Sequence, residues 1–218
     1  MVTAVQQKAG PAGVEDFLTL DYRTGAIYNK LTEERAQVIP ILPWRRMKEK
    51  LTLEFRDKAS LIMSLVGSSL GSSVAEEMMA KISDPEALVK YLSDMLASLG
   101  WGVFSMVGDT RYGGNFVVSV ANCGFCHKEE LAYSPQCYLL AAALKGIADT
   151  VYGTSHKVSE KRCAAKGESV CLFEVEECGK SEICSECTNS SYCSFAHSCS
   201  IEADEGLRDG ASVRREKQ

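Results

Sequence analysis

Apolar residues in the first half of the chain recur with the spacing of helices. Between 57 and 81 they return every four positions, which predicts one face of a long helix, formed by Ile62, Val66, Leu70, Val74 and Met78. A stripe of small residues from Ser64 to Ala75 lies beside that face. It predicts close packing against another helix or a second copy of the chain, although its glycines could simply be tolerated at about 1 kcal/mol each. A second helix is predicted from the Ser83-Asp84-Pro85 cap to Gly100.

The second half alternates strand-like and helix-like patterns. Residues 101–107 and 115–120 predict one hairpin, and 157–163 and 170–175 predict another. Between the hairpins, Ser134-Pro135 predicts a helix start, with the end near Gly153. The pattern as a whole predicts an α+β domain with an antiparallel sheet of about four strands packed with helices.

The stretch before the long helix predicts less regular structure. Residues 37–42 are expected to form an edge strand, because that position tolerates Pro40, and Pro43 is expected to open a helix that continues to about Phe55. Residues 1–14 have no periodicity and are expected to be a disordered lead-in.

Size and composition indicate one main domain with a small appendage. The 218 residues are 45% hydrophobic, enough to bury a core, and the net charge of -5 gives no electrostatic footprint for nucleic acid. No apolar run reaches the length of a membrane span and no signal peptide is recognised, so a cytoplasmic location is predicted. In that reducing compartment, ten cysteines favour metal or redox chemistry over structural disulfides.

Four possible metal ligands lie in the second half: Cys137, Glu160, Cys163 and Cys171. Cys137 opens a predicted helix, and the other three belong to the following hairpin, so the fold would bring three elements together. Three thiolates and one carboxylate make a four-coordinate site for which zinc is the default metal. The spacing alone leaves the alternative that these are free cysteines buried in a core.

The stretch from Cys137 to Phe173 resembles the 4-vinyl reductase (4VR) domain family, and the likeness extends less sharply over about 20–176. The resemblance rests on a cysteine opening a helix with a central glycine, then Glu-x2-Cys, then Gly-x3-Cys-x-Phe. It implies a TRAPP-subunit-like fold, dimerisation through helices, an apolar ligand pocket and a structural zinc held by Cys137, Glu160, Cys163 and Cys171. The histidine and tryptophan with which related phenol sensors hold their ligand have no clear counterparts here. A lipid, hydrocarbon or tetrapyrrole therefore fits as well as a phenol.

Aromatic and apolar residues near this stretch are candidates for the pocket wall, with plain core as the alternative for each. They are Trp101, Phe104, Phe116, Val118, Tyr138 and Leu139.

The remaining cysteines form two further groups. Cys123 and Cys126 with His127 match the C-x-x-C-H pattern of c-type haem attachment, and a redox thiol pair and inert loop cysteines are the alternatives. A second zinc or an iron–sulfur cluster is predicted in the appendage, 178–200, beyond the ligand-binding domain at 15–177. Its ligands would come from Cys178, Cys184, Cys187, Cys193 and Cys199, with His197 also available. Residues 201–218 are expected to be a disordered tail.

These observations predict a cytoplasmic, non-catalytic binding or sensory protein for an apolar or aromatic small molecule. It would contain structural zinc, form a homodimer, and have a cysteine-rich appendage that senses redox state or contacts a partner protein. One alternative is a vinyl reductase of tetrapyrrole metabolism, although no G-x-G-x-x-G follows a strand to hold a nicotinamide or flavin. The other is an electron-transfer or redox-switch protein that acts through the appendage.

Overall fold

The computed structural model describes residues 13–108, 110–111, 114–126 and 137–178. The other residues, which include 1–12 and 179–218, are outside the description. The elements in chain order are α1 (Val14–Phe17), β1 (Leu18–Asp21), β2 (Ala26–Asn29), β3 (Arg35–Ala36), α2 (Ile41–Phe55), α3 (Ala59–Met79), α4 (Pro85–Ser98), β4 (Val103–Gly108), β5 (Phe116–Ala121), α5 (Tyr138–Tyr152), β6 (His156–Arg162) and β7 (Cys171–Glu177). Short 3-10 helices lie at Arg56–Lys58 and Ala164–Lys166.

The predicted antiparallel sheet is confirmed, with the strand order β4-β5-β7-β6. Each predicted hairpin is present, and β5 pairs with β7 to join the two hairpins. Burial along β5 alternates, so Phe116, Val118 and Val120 face the core. In the register of β5 and β7, Val120 is opposite Cys171 and Val118 is opposite Phe173. A separate sheet has the order β1-β2-β3.

Helices α3 and α5 pack with their backbones in close contact. A Cβ atom added to Gly67 would lie 2.3 Å from the carbonyl oxygen of Leu139, and one added to Gly71 would lie 2.1 Å from that of Ala143. From the other side, a Cβ atom on Gly146 would lie 2.3 Å from the carbonyl oxygen of Ser68. The stripe of small residues is therefore required for this contact, and its partner is a helix of the same chain.

The large apolar face predicted for α3 is mostly on the outside of the described fold. Met78 is buried, but Val66 and Leu70 are 38% and 37% exposed. The interior positions are instead Ala59, Met63, Gly67, Gly71, Ala75 and Met78. The prediction was wrong here because large side chains would have kept α5 away, whereas the small ones let its backbone approach.

The structure also corrects the segment before α3. Residues 37–40 form no strand, and β3 is limited to Arg35–Ala36. Helix α2 begins at Ile41, two residues before the predicted start at Pro43, and ends at Phe55 as expected. Proline is acceptable in a first helical turn, where its missing N–H has no partner to lose.

Helix α4 begins where the sequence indicates. The Asp84 side chain accepts a hydrogen bond from the backbone N–H of Ala87 (2.8 Å), and Pro85 is the first helical residue. Its buried residues Leu88, Leu92, Met95 and Leu96 pack in one apolar cluster. A second cluster joins the sheet to α5 and contains the described free cysteines. No helix among the described residues is long and apolar enough to cross a membrane.

Candidate metal centre and apolar cavity

Three neighbouring elements bring the predicted metal ligands together. Cys137 is the N-cap residue of α5, Cys163 directly follows β6, and Cys171 is the first residue of β7. The 3-10 helix after Cys163 ends at Gly167, whose φ of 89° is in the left-handed region that favours glycine, and the chain then turns back. The backbone N–H of Ala164 donates to the Cys171 sulfur (3.3 Å), which fixes the hairpin end against that thiol.

The four predicted ligands form a compact group with their donor atoms within 4.8 Å of one another. The sulfur of Cys137 lies 4.0 Å from that of Cys163 and 3.7 Å from that of Cys171. A tetrahedral ion with Zn–S bonds of about 2.3 Å places its sulfurs about 3.8 Å apart, so the spacing fits one such ion. All three cysteines are fully buried.

Glu160 contributes an oxygen that needs a partner. Its Oε2 accepts a hydrogen bond from the backbone N–H of Cys137 (3.0 Å), but its buried Oε1 has no hydrogen-bond partner. Burial, followed by the nearby Cys163, raises the pKa of this carboxyl to about 8. A bound cation would reverse that penalty, because it favours the ionised carboxylate.

Two more cysteines enter the same cluster, and the sequence analysis did not place them there. Cys123 and Cys126 are 7% and 6% exposed. The Cys123 sulfur lies 3.7 Å from that of Cys137, and the Cys126 sulfur lies 3.3 Å from that of Cys171. Together these residues form a second four-donor group, consisting of Cys123, Cys126, Cys137 and Cys171, that could hold a metal ion.

The signal for this second group was present in the strand pattern. Cys123 comes two residues after the end of β5, and β5 pairs with β7 so that Val120 lies beside Cys171. A C-x2-C pair immediately after that strand must therefore lie near the predicted ligands. The strand order β4-β5-β7-β6 supplied this information, and the sequence alone did not fix that order.

The thiols of the cluster cannot all ionise by themselves. Contacts with the other cysteines, those with Cys123 and Cys126 first, raise the pKa values of Cys137 and Cys171. The pKa of Cys126 is shifted downwards because Cys123 and then Cys137 donate to its sulfur. One thiolate among protonated neighbours is the arrangement expected without a cation, since several buried negative charges repel one another. A metal ion removes that restriction.

The other predicted cysteine functions fall differently. Both thiols of the C-x-x-C-H pattern face buried sulfurs of the cluster, which favours metal binding over haem attachment, and His127 is outside the described residues. Cys178 is disulfide-bonded and so does not supply the thiolate that the predicted appendage site requires. Cys184, Cys187, Cys193, Cys199 and His197 all lie in the undescribed segment 179–218.

The predicted pocket residues divide between two places. Phe104, Phe116 and Val118 line a cavity between α4, the sheet and α5. Tyr138 and Leu139 line a smaller hollow beside α2. Trp101 packs edge-on against Phe125, with a ring-centroid distance of 4.7 Å, and belongs to the apolar packing around both clusters.

The cavity against α4 is almost entirely apolar. About 40 Å³ of it is open to the centres of water-sized molecules, and its walls are Val89, Leu92, Ser93, Leu96, Phe104, Met106, Phe116, Val118, Leu144, Ile147, Ala148, Tyr152 and Val175. The Ser93 hydroxyl donates to the carbonyl oxygen of Val89 (2.7 Å), and the Tyr152 hydroxyl donates to that of Thr110 (2.6 Å). The lining hydroxyls thus direct their protons to the backbone rather than into the cavity.

Comparison with known proteins locates a family domain in the part of the chain that holds this cluster. Residues 116–177 match the family model of the 4-vinyl reductase (4VR) domain. A curated relative, the uncharacterized protein MJ0745 of Methanocaldococcus jannaschii, is 36% identical over 61 residues. That alignment spans 28% of this chain and 33% of the relative, so the chain covers about a third of the length of the curated protein that it matches.

Solved structures include one that shares the fold over most of the chain. The phenol-responsive sensory domain of the transcription activator PoxR, with phenol, has a TM-score of 0.64 at 14% identity and covers 80% of this chain and 91% of its own. A vinyl-4-reductase family protein from M. jannaschii has a TM-score of 0.49 at 15% identity, with coverage of 66% and 85%. A trafficking protein particle complex subunit 3 from Naegleria fowleri, covalently bound to palmitic acid, has a TM-score of 0.47 at 10% identity, with coverage of 64% and 93%. The segment 116–177, with the cysteine cluster inside it, is a 4VR domain.

Proposed function

We propose that this protein is a sensory or carrier domain that binds a compact apolar or aromatic molecule in the cavity between α4, the sheet and α5. The observation that carries the proposal is the cavity itself, whose walls are apolar and whose lining hydroxyls donate to the backbone. Pockets of this kind bind ligands through apolar contact, with few polar groups to orient them. The similar fold of a phenol-responsive sensory domain supports the same reading.

The size of the cavity limits the ligand. Its volume of about 40 Å³ exceeds the roughly 10–15 Å³ that one water needs but is below the roughly 150 Å³ of a cavity that binds benzene. A one-ring compound would therefore enter by displacing lining side chains, of which the flexible Met106 is best suited to move. A tetrapyrrole or a long lipid would require α4 to separate from the sheet.

Zinc completes the proposal as a structural clasp. Cys137, Glu160, Cys163 and Cys171 would hold it, since their donor spacing fits a tetrahedral ion and the unpaired Oε1 of Glu160 needs a cation. The bound ion would join the start of α5 to the β6–β7 hairpin. Because α5 and β7 also supply cavity walls, the clasp would fix the shape of the ligand site. With four protein ligands it would leave no open position for catalysis.

A second copy of the chain is the proposed partner of α2 and α3. Helix α2 has no buried residue, and the outer faces of both helices expose large apolar side chains: Leu42, Met47, Leu53, Phe55, Leu61 and Leu65. An apolar surface of this kind on a globular domain is typical of an interaction site. The dimerisation implied by the family resemblance would cover it.

The ligand proposal can be tested with two probes of nearly equal shape, toluene and phenol. We expect saturable binding of both by calorimetry, with toluene at least as tight as phenol because the lining hydroxyls already donate elsewhere. Ala148→Leu adds three carbons to the cavity wall and should weaken both at least tenfold. The matched control Ala80→Leu adds the same atoms at an exposed helix end and should change neither.

Two results would contradict the ligand proposal. One is binding that Ala148→Leu and Ala80→Leu affect equally, which would indicate nonspecific association with exposed apolar residues. The other is the absence of any bound organic molecule in native mass spectra of the purified protein, combined with no saturable binding of either probe.

A further inference from the structure

The cysteine cluster contains more donors than one ion can use. Five cysteines and Glu160 form two four-donor groups that overlap at Cys137 and Cys171. The first group adds Glu160 and Cys163 to this pair, and the second adds Cys123 and Cys126. The two shared sulfurs lie 3.7 Å apart, which suits a common edge of two tetrahedra.

The number of donors matches two ions. Two tetrahedral ions need eight bonds, and four terminal donors plus two bridging thiolates supply 4 + 2 × 2 = 8 from the six residues. The same economy occurs in Zn₂Cys₆ modules, in which six cysteines hold two zinc ions. Here one of the six thiolates is replaced by the Glu160 carboxylate.

A single ion would leave two donors unused whichever group held it. An ion in the mixed group would leave Cys126 without a metal, although its sulfur lies 3.3 Å from that of the ligand Cys171. An ion in the all-cysteine group would leave the buried Oε1 of Glu160 unpaired. Two ions satisfy all six residues.

Charge also favours two ions. When five thiolates and one carboxylate are deprotonated they carry six negative charges, and two divalent ions reduce this to -2, whereas one leaves -4. An iron–sulfur cluster is less compatible with the spacing, because its inorganic sulfides separate the cysteine sulfurs, while the donors of each group here lie within 4.8 Å of one another.

We propose that this site binds two zinc ions that share the thiolates of Cys137 and Cys171. Glu160 and Cys163 complete the first ion, and Cys123 and Cys126 complete the second. The proposal depends on the zinc clasp described above but not on the ligand in the cavity. The second ion attaches the loop after β5 to the start of α5, and so both edges of the cluster are fixed by metal.

The first test counts zinc in the full-length protein purified without oxygen. Elemental analysis should show that Cys123→Ser with Cys126→Ser removes one ion per chain and leaves the ion at Glu160 and Cys163. Glu160→Gln with Cys163→Ser should remove the other. The appendage cysteines are unchanged in every variant, so any metal they hold cancels in the difference. Equal zinc content in wild type and the Cys123/Cys126 variant would overturn the proposal.

The second test needs no variant and so does not depend on a mutant that folds. Cobalt(II) replaces zinc, and two cobalt ions that share thiolates couple magnetically, so the paramagnetic signal per cobalt should fall as loading goes from one equivalent to two. X-ray absorption of the zinc protein should show a metal–metal distance of roughly 3 Å, as bonds of about 2.3 Å to two shared sulfurs require. Uncoupled cobalt at full loading would refute the bridge.

The outcomes separate this proposal from the single-zinc clasp. Loss of zinc in the Cys163 variant with no loss in the Cys123/Cys126 variant supports one ion and rejects two. Zinc content that no cluster variant changes rejects both. Neither result bears on toluene binding in the cavity, which is measured independently.

Discussion

Replacing Gly71 by alanine tests the close contact between α3 and α5. The new Cβ atom would lie 2.1 Å from the carbonyl oxygen of Ala143 and 2.9 Å from its Cα. Both are backbone atoms of a helix, so no side chain can rotate away. The helices must move apart by about 1 Å to restore ordinary contact, and Gly67 and Gly146 in the same interface lose packing as well.

The expected loss of stability combines two opposing effects. Alanine gains about 1 kcal/mol of helix propensity over glycine, and overpacking against a backbone costs at least the usual 1–3 kcal/mol. Because the obstruction is backbone and involves a whole helix pair, we expect a net loss of about 2 kcal/mol. For a chain of this length that lowers the melting temperature by about 4–8 °C.

Thermal unfolding followed by circular dichroism, at fixed zinc concentration, measures this loss. The control is Ser69→Ala, an exposed position on the same helix, which should remain within about 0.5 kcal/mol of wild type. Gly71→Ala should also weaken zinc retention, because α5 begins at the ligand Cys137. A Gly71→Ala protein as stable as the Ser69→Ala control would refute the close packing of α3 on α5.

Three further outcomes are expected. Cys163→Ser should release at least one zinc per chain and lower the melting temperature, because metal binding is coupled to folding, and unchanged zinc content by elemental analysis would reject the clasp. Zinc affinity should fall as the pH decreases below about 8, since the proton on Glu160 must leave before the ion binds. That fall should be about tenfold steeper per pH unit than in Glu160→Gln, measured by chelator competition. Leu65→Glu on the exposed face of α3 should shift a dimer towards monomer in sedimentation, whereas Ser69→Glu nearby should shift it less.

Periodicity was sufficient for most of the secondary structure. Helix α4 could be placed because Asp84 and Pro85 are local signals whose effect needs no distant partner. The hairpins could be placed because alternating strands and turn residues are close in sequence. Residues 37–42 were assigned to a strand in error, because a short apolar run with prolines is compatible with both an edge strand and a first helical turn.

Which face of α3 is buried could not be decided from hydrophobicity. The large apolar side chains form the more obvious stripe, but burial depends on how closely the neighbouring element can approach. Glycine and serine permit contact between the backbones of α3 and α5, and the larger residues are left at the surface.

The sequence by itself determined the fold class and the chemistry of four metal donors, because Cys137, Glu160, Cys163 and Cys171 lie on a helix start and one hairpin that local signals define. Only the tertiary structure decided that Cys123 and Cys126 join them. That placement follows from the pairing of β5 with β7, a contact between strands about 50 residues apart in the chain, and such long-range pairing is not fixed by local propensity. The same pairing and the packing of α4 also form the apolar cavity, which no local pattern reveals.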